Sequence, residues 1–419
     1  MGSCCKDREL FKILKNQINV AIISFIFVEN FLGLNKKISI TSIVSLSALG
    51  GNPEQIWNNY KVDNHFLNVK EYKSFNAWVA ELSASDKKFI EELRHSDIKY
   101  KDLDNTVLYA LFAARKAVKE AYWKTTDIFG VNIGSSRGAT SLFEKYHQEY
   151  LLSGKSSTIS SPTTTLGNIS SWVAHDLQTD GPEISHSITC STGLHSLLNG
   201  VAWILSGMTD KFLIGGSEAS LTGFTIAQMK ALKVYANNQD RFPCKALALS
   251  KTKNTMVLGE GASVICLEEG EQSKALAIVE GVGYATEILK HNISISTNAD
   301  CFQKSMKMAL KNTKLSEVDV IVMHAPGTIK GDESEINAIK KVFGNACPFL
   351  TTNKWKLGHT FATSGLLSLE LAILMIQHQE VIQIPYINKQ QEPKEVHKVL
   401  INSVGFGGNA VSVLISRKT

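Results

Sequence analysis

The chain has 419 residues, 44% hydrophobic and 20% charged, with 44 Lys and Arg against 39 Asp and Glu. This is ample apolar material for a large core, and it excludes a disordered, collagen-like or repeat-fibre chain. The formal charge of +5 is slight and evenly spread, which speaks against a nucleic-acid footprint while leaving a mildly basic surface able to receive an acidic partner. The seven cysteines lack the dense, even spacing of a secreted disulfide scaffold, so a reduced, cytoplasmic setting is expected. No C-x-x-C or H-E-x-x-H occurs, and Cys190 and His195 lie about 140° apart round a helix, so no metal is expected.

Near the start, Val20 to Val28 is an apolar run preceded by lysines, far short of the roughly 20 residues that span a bilayer. No A-x-A-like cleavage site follows it, and Lys6 stands where a myristoylation signal wants Ser or Thr. Residues 1–35 are therefore read as an extension outside the core, with a peripheral membrane anchor as the competing idea. From Ile38, β-branched residues alternating with Ser and Thr predict a strand, and Pro53 opens a short helix. Residues 104–122 predict a helix capped by Asp104 or Asn105, with Val107, Leu111, Ala114, Val118 and Tyr122 on one face that should cover a sheet. A buried strand at 128–136 follows, then a Ser/Thr-rich loop from Ser156 to Thr165 and a helix around 166–178.

The pattern then tightens. Ile184 to Thr189 predicts a strand, Cys190 follows it, and a helix opens at Ser191-Thr192-Gly193. Further strands are predicted at 211–220, 259–269, 275–285 and 319–325, the last ending in His324, and two more surround the glycine turn of the C-terminal VLINSVGFGGNAVSVLI. Almost wholly apolar strands imply burial on both faces. The pattern G-L-x-S-L recurs at Gly193–Leu197 and Gly365–Leu369, which hints at a duplicated half. Neither of these helices has an amphipathic stripe, which predicts central burial for both.

Cys190, at a strand-to-helix passage, is placed where the helix dipole and free N–H groups lower a thiol's pKa. A free cysteine is also a common core residue. His324 ends an apolar strand and precedes APGTIKGDESE, while His359 follows Lys354 in NKWKLGH. A histidine at a strand end is often structural, and Lys354 alone could be a solvated loop charge. Together, one cysteine and two histidines at the ends of apolar elements suit acyl transfer through a thioester.

Four motifs in this order, TCSTGLHSL, HAPGTIKGDESE, NKWKLGH and NSVGFGGNA, resemble the β-ketoacyl-acyl carrier protein synthases of the thiolase-like superfamily, over nearly all of 36–419. The resemblance implies an α/β fold, the five-layer αβαβα architecture of two similar halves with mixed sheets. The first half is placed at 36–270 with the nucleophile and the second at 271–419 with both histidines. It implies that Cys190 takes the acyl chain, and that His324 and His359 hold the malonyl thioester carbonyl through decarboxylation. Lys354 would orient this network with Glu335 as its partner. Phe406 would gate the site, its backbone N–H joining that of Cys190 as an oxyanion hole, with Asp332, Gly358, Gly405 and Gly407 in support. No cofactor is implied beyond the phosphopantetheine of an acyl carrier protein, the expected partner, and a homodimer or a heterodimer with a homologous synthase subunit is expected.

The chain departs from the family pattern at Ala325-Pro326 in place of Gly-Thr, at Val404 in place of Phe and at Ala410 in place of Asn. None removes a reacting group, and the pattern is more like divergent synthases of aryl-polyene or flexirubin-type pigment pathways. A chain-length-factor partner would lack the cysteine, a thiolase would carry a second cysteine in its C-terminal glycine loop, and synthases that start chains from acyl-CoA generally replace the second histidine by asparagine.

Overall fold

The computed structural model of the protein describes residues 36–166, 168–237, 239–288, 295–344 and 346–418. The Val20–Val28 run and the 1–35 extension lie outside them.

Two five-stranded sheets organise the chain. The first contains β1 (Ile38–Leu46), β4 (Gly130–Gly134), β5 (Glu183–Ile184), β6 (Lys211–Glu218) and β8 (Gly261–Glu269), in the order β1-β8-β6-β4-β5. The second contains β9 (Ala277–Thr286), β10 (Val320–Val322), β11 (Phe349–Thr351), β12 (Lys398–Gly405) and β13 (Asn409–Ser416), in the order β9-β13-β12-β10-β11. From the first strand of each outward, both read antiparallel, antiparallel, parallel, parallel. The two sheets are topological copies, which is the duplication that the short repeat hinted at.

Alternation along the strands builds the layers. Phe212 and Ile214 face a central core with Val399, Ile401, Val411 and Val413, whereas Leu213 faces an outer core under helix Asn105–Glu120. In the second sheet Ile321, Leu400 and Leu414 face outward, towards helices Asp300–Ala309 and Ile329–Phe343. Helices Thr192–Leu205 and Ser364–His378 fill the space between the sheets. They meet at the repeated motif: a Cβ on Gly193 would lie 2.8 Å from Leu366 Cγ, and one on Gly365 would lie 2.6 Å from Leu194 Cγ. Each glycine thus receives the leucine of the other copy. Among the described residues, Phe361–His378 is apolar and long enough to cross a membrane, yet it is 89% buried as this central helix.

Several elements differ from the sequence reading. Helix Asn105–Glu120 has Asp104 as its cap but stops short of Tyr122, which is exposed at φ +59°. Of the strand expected at Ile184–Thr189 only Ile184 lies in β5, because side chains take backbone groups that a ladder would use. Ser170 Oγ and Asn132 Nδ2 donate to the Ile184 carbonyl, and Ile188 N–H donates to Thr192 Oγ1. The Ser156–Thr165 loop contains a short helix, Ser160–Thr164. The strand predicted at 259–269 is interrupted at Glu260, which separates β7 (Leu258–Gly259) from β8, and β7 joins β2 (Asn68–Tyr72) and β3 (Phe75–Ala80) in a small third sheet that the sequence reading lacked. Of the two central helices, only Ser364–His378 is buried all round its first thirteen residues, since Thr192–Leu205 exposes Ala202.

Candidate active site

Cys190 lies in the turn between β5 and helix Thr192–Leu205, 7% exposed. Thr189 before it sits at φ +47°, a region that β-branched residues rarely adopt. Two bonds hold this conformation: Ser136 Oγ and Thr192 Oγ1 each donate to the Thr189 carbonyl at 2.6 Å. From the other half, Ser403 Oγ donates to the Cys190 carbonyl at 3.2 Å. A Cβ on Gly405 would fall 1.9 Å from Thr189 Oγ1 and 3.3 Å from Cys190 N, so only glycine lets the β12–β13 turn approach the nucleophile. Phe406 follows at that turn, 40% exposed, its carbonyl accepting from Thr189 Oγ1 at 3.4 Å, and Gly407 turns the chain at φ +98°.

The depressed thiol pKa expected from the helix N-terminus is overturned. Burial pushes Cys190 up to about 12 and the Glu218 carboxylate adds to this, while Lys354 and Arg137 oppose it. Desolvation of a thiolate in this apolar pocket outweighs a dipole that acts only over the first turn.

His324 lies two residues beyond β10 and His359 beyond helix Lys354–Leu357. Their rings are 5.3 Å apart and nearly perpendicular, at 84°. Gly358, at φ +69°, packs its Cα side against β7, and His359 N–H donates to the Val257 carbonyl at 2.7 Å. The tautomer of His359 is set by its surroundings: Phe361 N–H donates to Nδ1 at 3.0 Å, so Nδ1 is an acceptor and Nε2 carries the proton. Burial and the Lys354 charge push His359 down to about 3. Burial, then His359 and Lys354, put His324 well below its ordinary value. Both rings are neutral at physiological pH, and His324 Nδ1 is buried without a hydrogen-bond partner.

Lys354 is buried rather than solvated, with Nζ donating to Asn353 Oδ1 at 3.0 Å and Ser368 Oγ at 3.3 Å. Burial lowers it to about 8. The expected pairing with Glu335 is corrected: Glu335 acts on Lys354 only through its charge, because its oxygens are occupied by the backbone N–H groups of His324 and Ala325, at 3.0 and 2.9 Å, and by Asn402 Nδ2. Glu335 thus holds the His324 backbone. Asp332 pairs with Lys251 at 2.6 Å, both buried, and accepts from Gly327 and Leu247 N–H, tying the loop after His324 to residues 247–251.

The sequence reading missed Glu218, Asn402, Ser403, Lys251 and Arg137. Glu218 is fully buried at the end of β6 and accepts from Ser136 N, Ser135 Oγ and Ala362 N, so it joins the nucleophile side to the turn after His359. Its signal was a carboxylate closing an apolar strand in LIGGSE. The departures Val404 and Ala410 are cross-strand partners, a complementary pair within the outer core. Among the described residues no three His, Cys, Asp or Glu side chains converge as a metal site.

The sequence models described as "Beta-ketoacyl synthase, N-terminal domain" and "Beta-ketoacyl synthase, C-terminal domain" match residues 35–273 and 276–388. The chain is 26% identical to 3-oxoacyl-[acyl-carrier-protein] synthase 2 of Staphylococcus aureus (strain COL) over 407 residues, covering 90% of this chain and 98% of that protein. It is 25% identical over 410 residues to the protein of the same name from Coxiella burnetii, covering 91% and 99%. Among solved structures it is similar to the ishigamide ketosynthase/chain length factor, with TM-score 0.79, 22% identity and coverage of 92% and 100%. A ketosynthase in complex with its chain length factor from Xenorhabdus doucetiae has TM-score 0.76 and 19% identity, with coverage of 91% and 98%. These structures share the thiolase-like fold built here from two copied sheets around paired helices. With both synthase models matched in order along one chain, the protein belongs to the β-ketoacyl synthase family of condensing acyltransferases.

Proposed function

We propose that the chain catalyses decarboxylative Claisen condensation of a malonyl thioester with an acyl chain held on Cys190, both delivered on the phosphopantetheine of an acyl carrier protein. Cys190 Sγ attacks the acyl thioester carbonyl, the carrier C–S bond breaks, and the thiol proton leaves with the carrier thiol. The N–H groups of Cys190 and Phe406 hold the oxyanion, and the Phe406 ring gates the pocket. The malonyl thioester then loses carbon dioxide, and the electron pair of the broken C–C bond becomes an enolate whose oxygen is held by His324 and His359. Its carbon attacks the acyl carbonyl and Cys190 leaves as thiolate, to be reprotonated. Donors aimed at developing negative charge are worth about 10²–10³ in rate each.

The observation that carries this reading is the tautomer of His359, a neutral ring whose Nδ1 is occupied by Phe361 N–H and whose Nε2–H is left to donate. Gly358 and Lys354 support that ring, Glu335 and Asp332 support His324, and Gly405 and Gly407 support Phe406. The halves 36–270 and 271–419 would act as one unit, paired with itself or with a homologous subunit in the cytoplasm. The test is intact-mass analysis with acyl- and malonyl-carrier. Cys190 should be the sole acylated residue, and His324→Ala and His359→Ala should acylate but lose malonyl decarboxylation. Label on another cysteine, or wild-type decarboxylation by either variant, refutes the assignment, and no adduct at all favours a non-catalytic chain-length-factor-like subunit.

A further inference from the structure

Asn353 stands just before helix Lys354–Leu357, the position where an asparagine commonly caps a helix. It does not cap this one: its side chain makes no bond to the helix N–H groups, and its backbone, at φ −95° and ψ −3°, needs no asparagine. The side chain is engaged elsewhere. Asn353 Oδ1 accepts from Lys354 Nζ at 3.0 Å and from Ser368 Oγ at 3.4 Å, while Ser368 Oγ accepts from Lys354 Nζ at 3.3 Å. On its other side Asn353 Nδ2 donates to the Tyr60 hydroxyl oxygen at 3.4 Å, which fixes the orientation of the amide. Tyr60 comes from helix Pro53–Lys61 and Ser368 from the central helix Ser364–His378, and all four side chains are buried. Among the described residues Lys354 forms no ion pair, so its ammonium rests on two neutral oxygens. The charges of Glu335 and Asp332 reach it from helix Ile329–Phe343, as do those of Cys190 and Cys244, and its own charge reaches His324 and His359. Neither carboxylate touches it, since Asp332 pairs with Lys251 and Glu335 accepts from backbone N–H groups.

We propose that Asn353 is a positioning residue for the condensation: oriented by Tyr60, its side-chain oxygen joins Ser368 in fixing the Lys354 ammonium that serves His324 and His359. This rests on the decarboxylative reading given above. Leucine at 353 is close in size and offers no acceptor, so the ammonium would keep one neutral oxygen and its cationic form would weaken. Aspartate would pair with the ammonium and strengthen that form. Tyr60→Phe keeps the ring and removes only the acceptor that aligns the amide.

The experiment measures kcat for malonyl-carrier decarboxylation, as released carbon dioxide, from about pH 6 to about pH 9.5 in the full chain and its variants. Burial lowers Lys354 to about 8, so the wild-type rate should decline with its midpoint there. Asn353→Leu should move the midpoint down by about one pH unit and Tyr60→Phe by about half a unit, whereas Asn353→Asp should move it up by about one. A merely structural role changes the rate alike at every pH and leaves the midpoint in place. Unmoved midpoints in Asn353→Leu and Tyr60→Phe overturn the proposal, as does a downward shift in Asn353→Asp. If Asn353→Leu fails to fold, Asn353→Asp and Tyr60→Phe decide by the same criteria. A decline that persists in an active Lys354→Arg enzyme belongs to another group and also overturns the proposal. Failure of the wild type to decarboxylate malonyl-carrier at any pH refutes the underlying reading, an outcome distinct from a decline that does not move.

Discussion

Gly405→Ala tests whether the approach of the β12–β13 turn to the nucleophile matters for acyl transfer. The added Cβ would lie 1.9 Å from Thr189 Oγ1, 2.8 Å from the Ile188 carbonyl oxygen and 3.3 Å from Cys190 N. The Thr189 hydroxyl could rotate away, but the other two atoms are backbone and yield only if residues 188–190 or the turn moves. Relieving the carbonyl contact alone requires a shift of about half an ångström, and the hydroxyl contact more, in a densely packed region where overpacking costs about 1–3 kcal/mol. A displacement of that order at a reacting group lowers rate by up to about 10²-fold. Gly405→Ala should therefore acylate Cys190 about 10²-fold more slowly, read by quenched-flow intact mass, while decarboxylating malonyl-carrier within about threefold of wild type. The second expectation follows because His324 and His359 are anchored by Glu335, Val257 and Phe361 and not by that turn. Adding Thr189→Ala should restore only part of the lost rate, since the Ile188 contact remains. Wild-type acylation by Gly405→Ala refutes the reasoning, and so does equal loss of both half-reactions in a folded variant.

Glu370, buried in the central helix with Oε2 unpartnered, is pushed up to about 7 by burial. Because this folded value lies above the unfolded one, the stability it contributes is full below about pH 4.5 and is lost as pH rises through about 7. Glu370→Gln should be more stable than wild type by about 1–3 kcal/mol at pH 8, with no gain at pH 4.5; equal urea midpoints at pH 8 would remove the argument. Lys354, lowered to about 8 by burial, should give a decarboxylation rate that declines above pH 8, whereas the neutral histidines contribute no ionisation between about pH 5.5 and 7.5. Lys354→Arg should retain its charge and lose the decline, and persistence of the decline in an active Lys354→Arg enzyme would assign it to another group.

Much of this protein was legible along the chain because the relevant physics is local. The apolar periods of β1, β6 and β8 and of helix Asn105–Glu120, the cap at Asp104 and the glycine turn before β13 depend on neighbours within a few residues. The family resemblance carried by the four motifs pointed to Cys190, His324, Lys354, His359 and Phe406 as the residues of one site. The G-L-x-S-L repeat marked the two helices on which the copied sheets meet. What the chain alone could not decide was set by residues far apart in sequence. Helix polarity argued for a lowered Cys190 pKa, yet burial from both halves raised it. Charge alone paired Lys354 with Glu335, yet backbone N–H groups claimed that carboxylate. Arg137 carries no local sign of its neighbourhood with Cys190, and the carboxylate that closes the apolar strand at Glu218 does not say what it faces, because only the packing of β4, β6 and the turn after His359 brings them there. Desolvation and competition for hydrogen bonds depend on everything within a few ångströms, so the tertiary structure, not the motif, determines protonation and pairing.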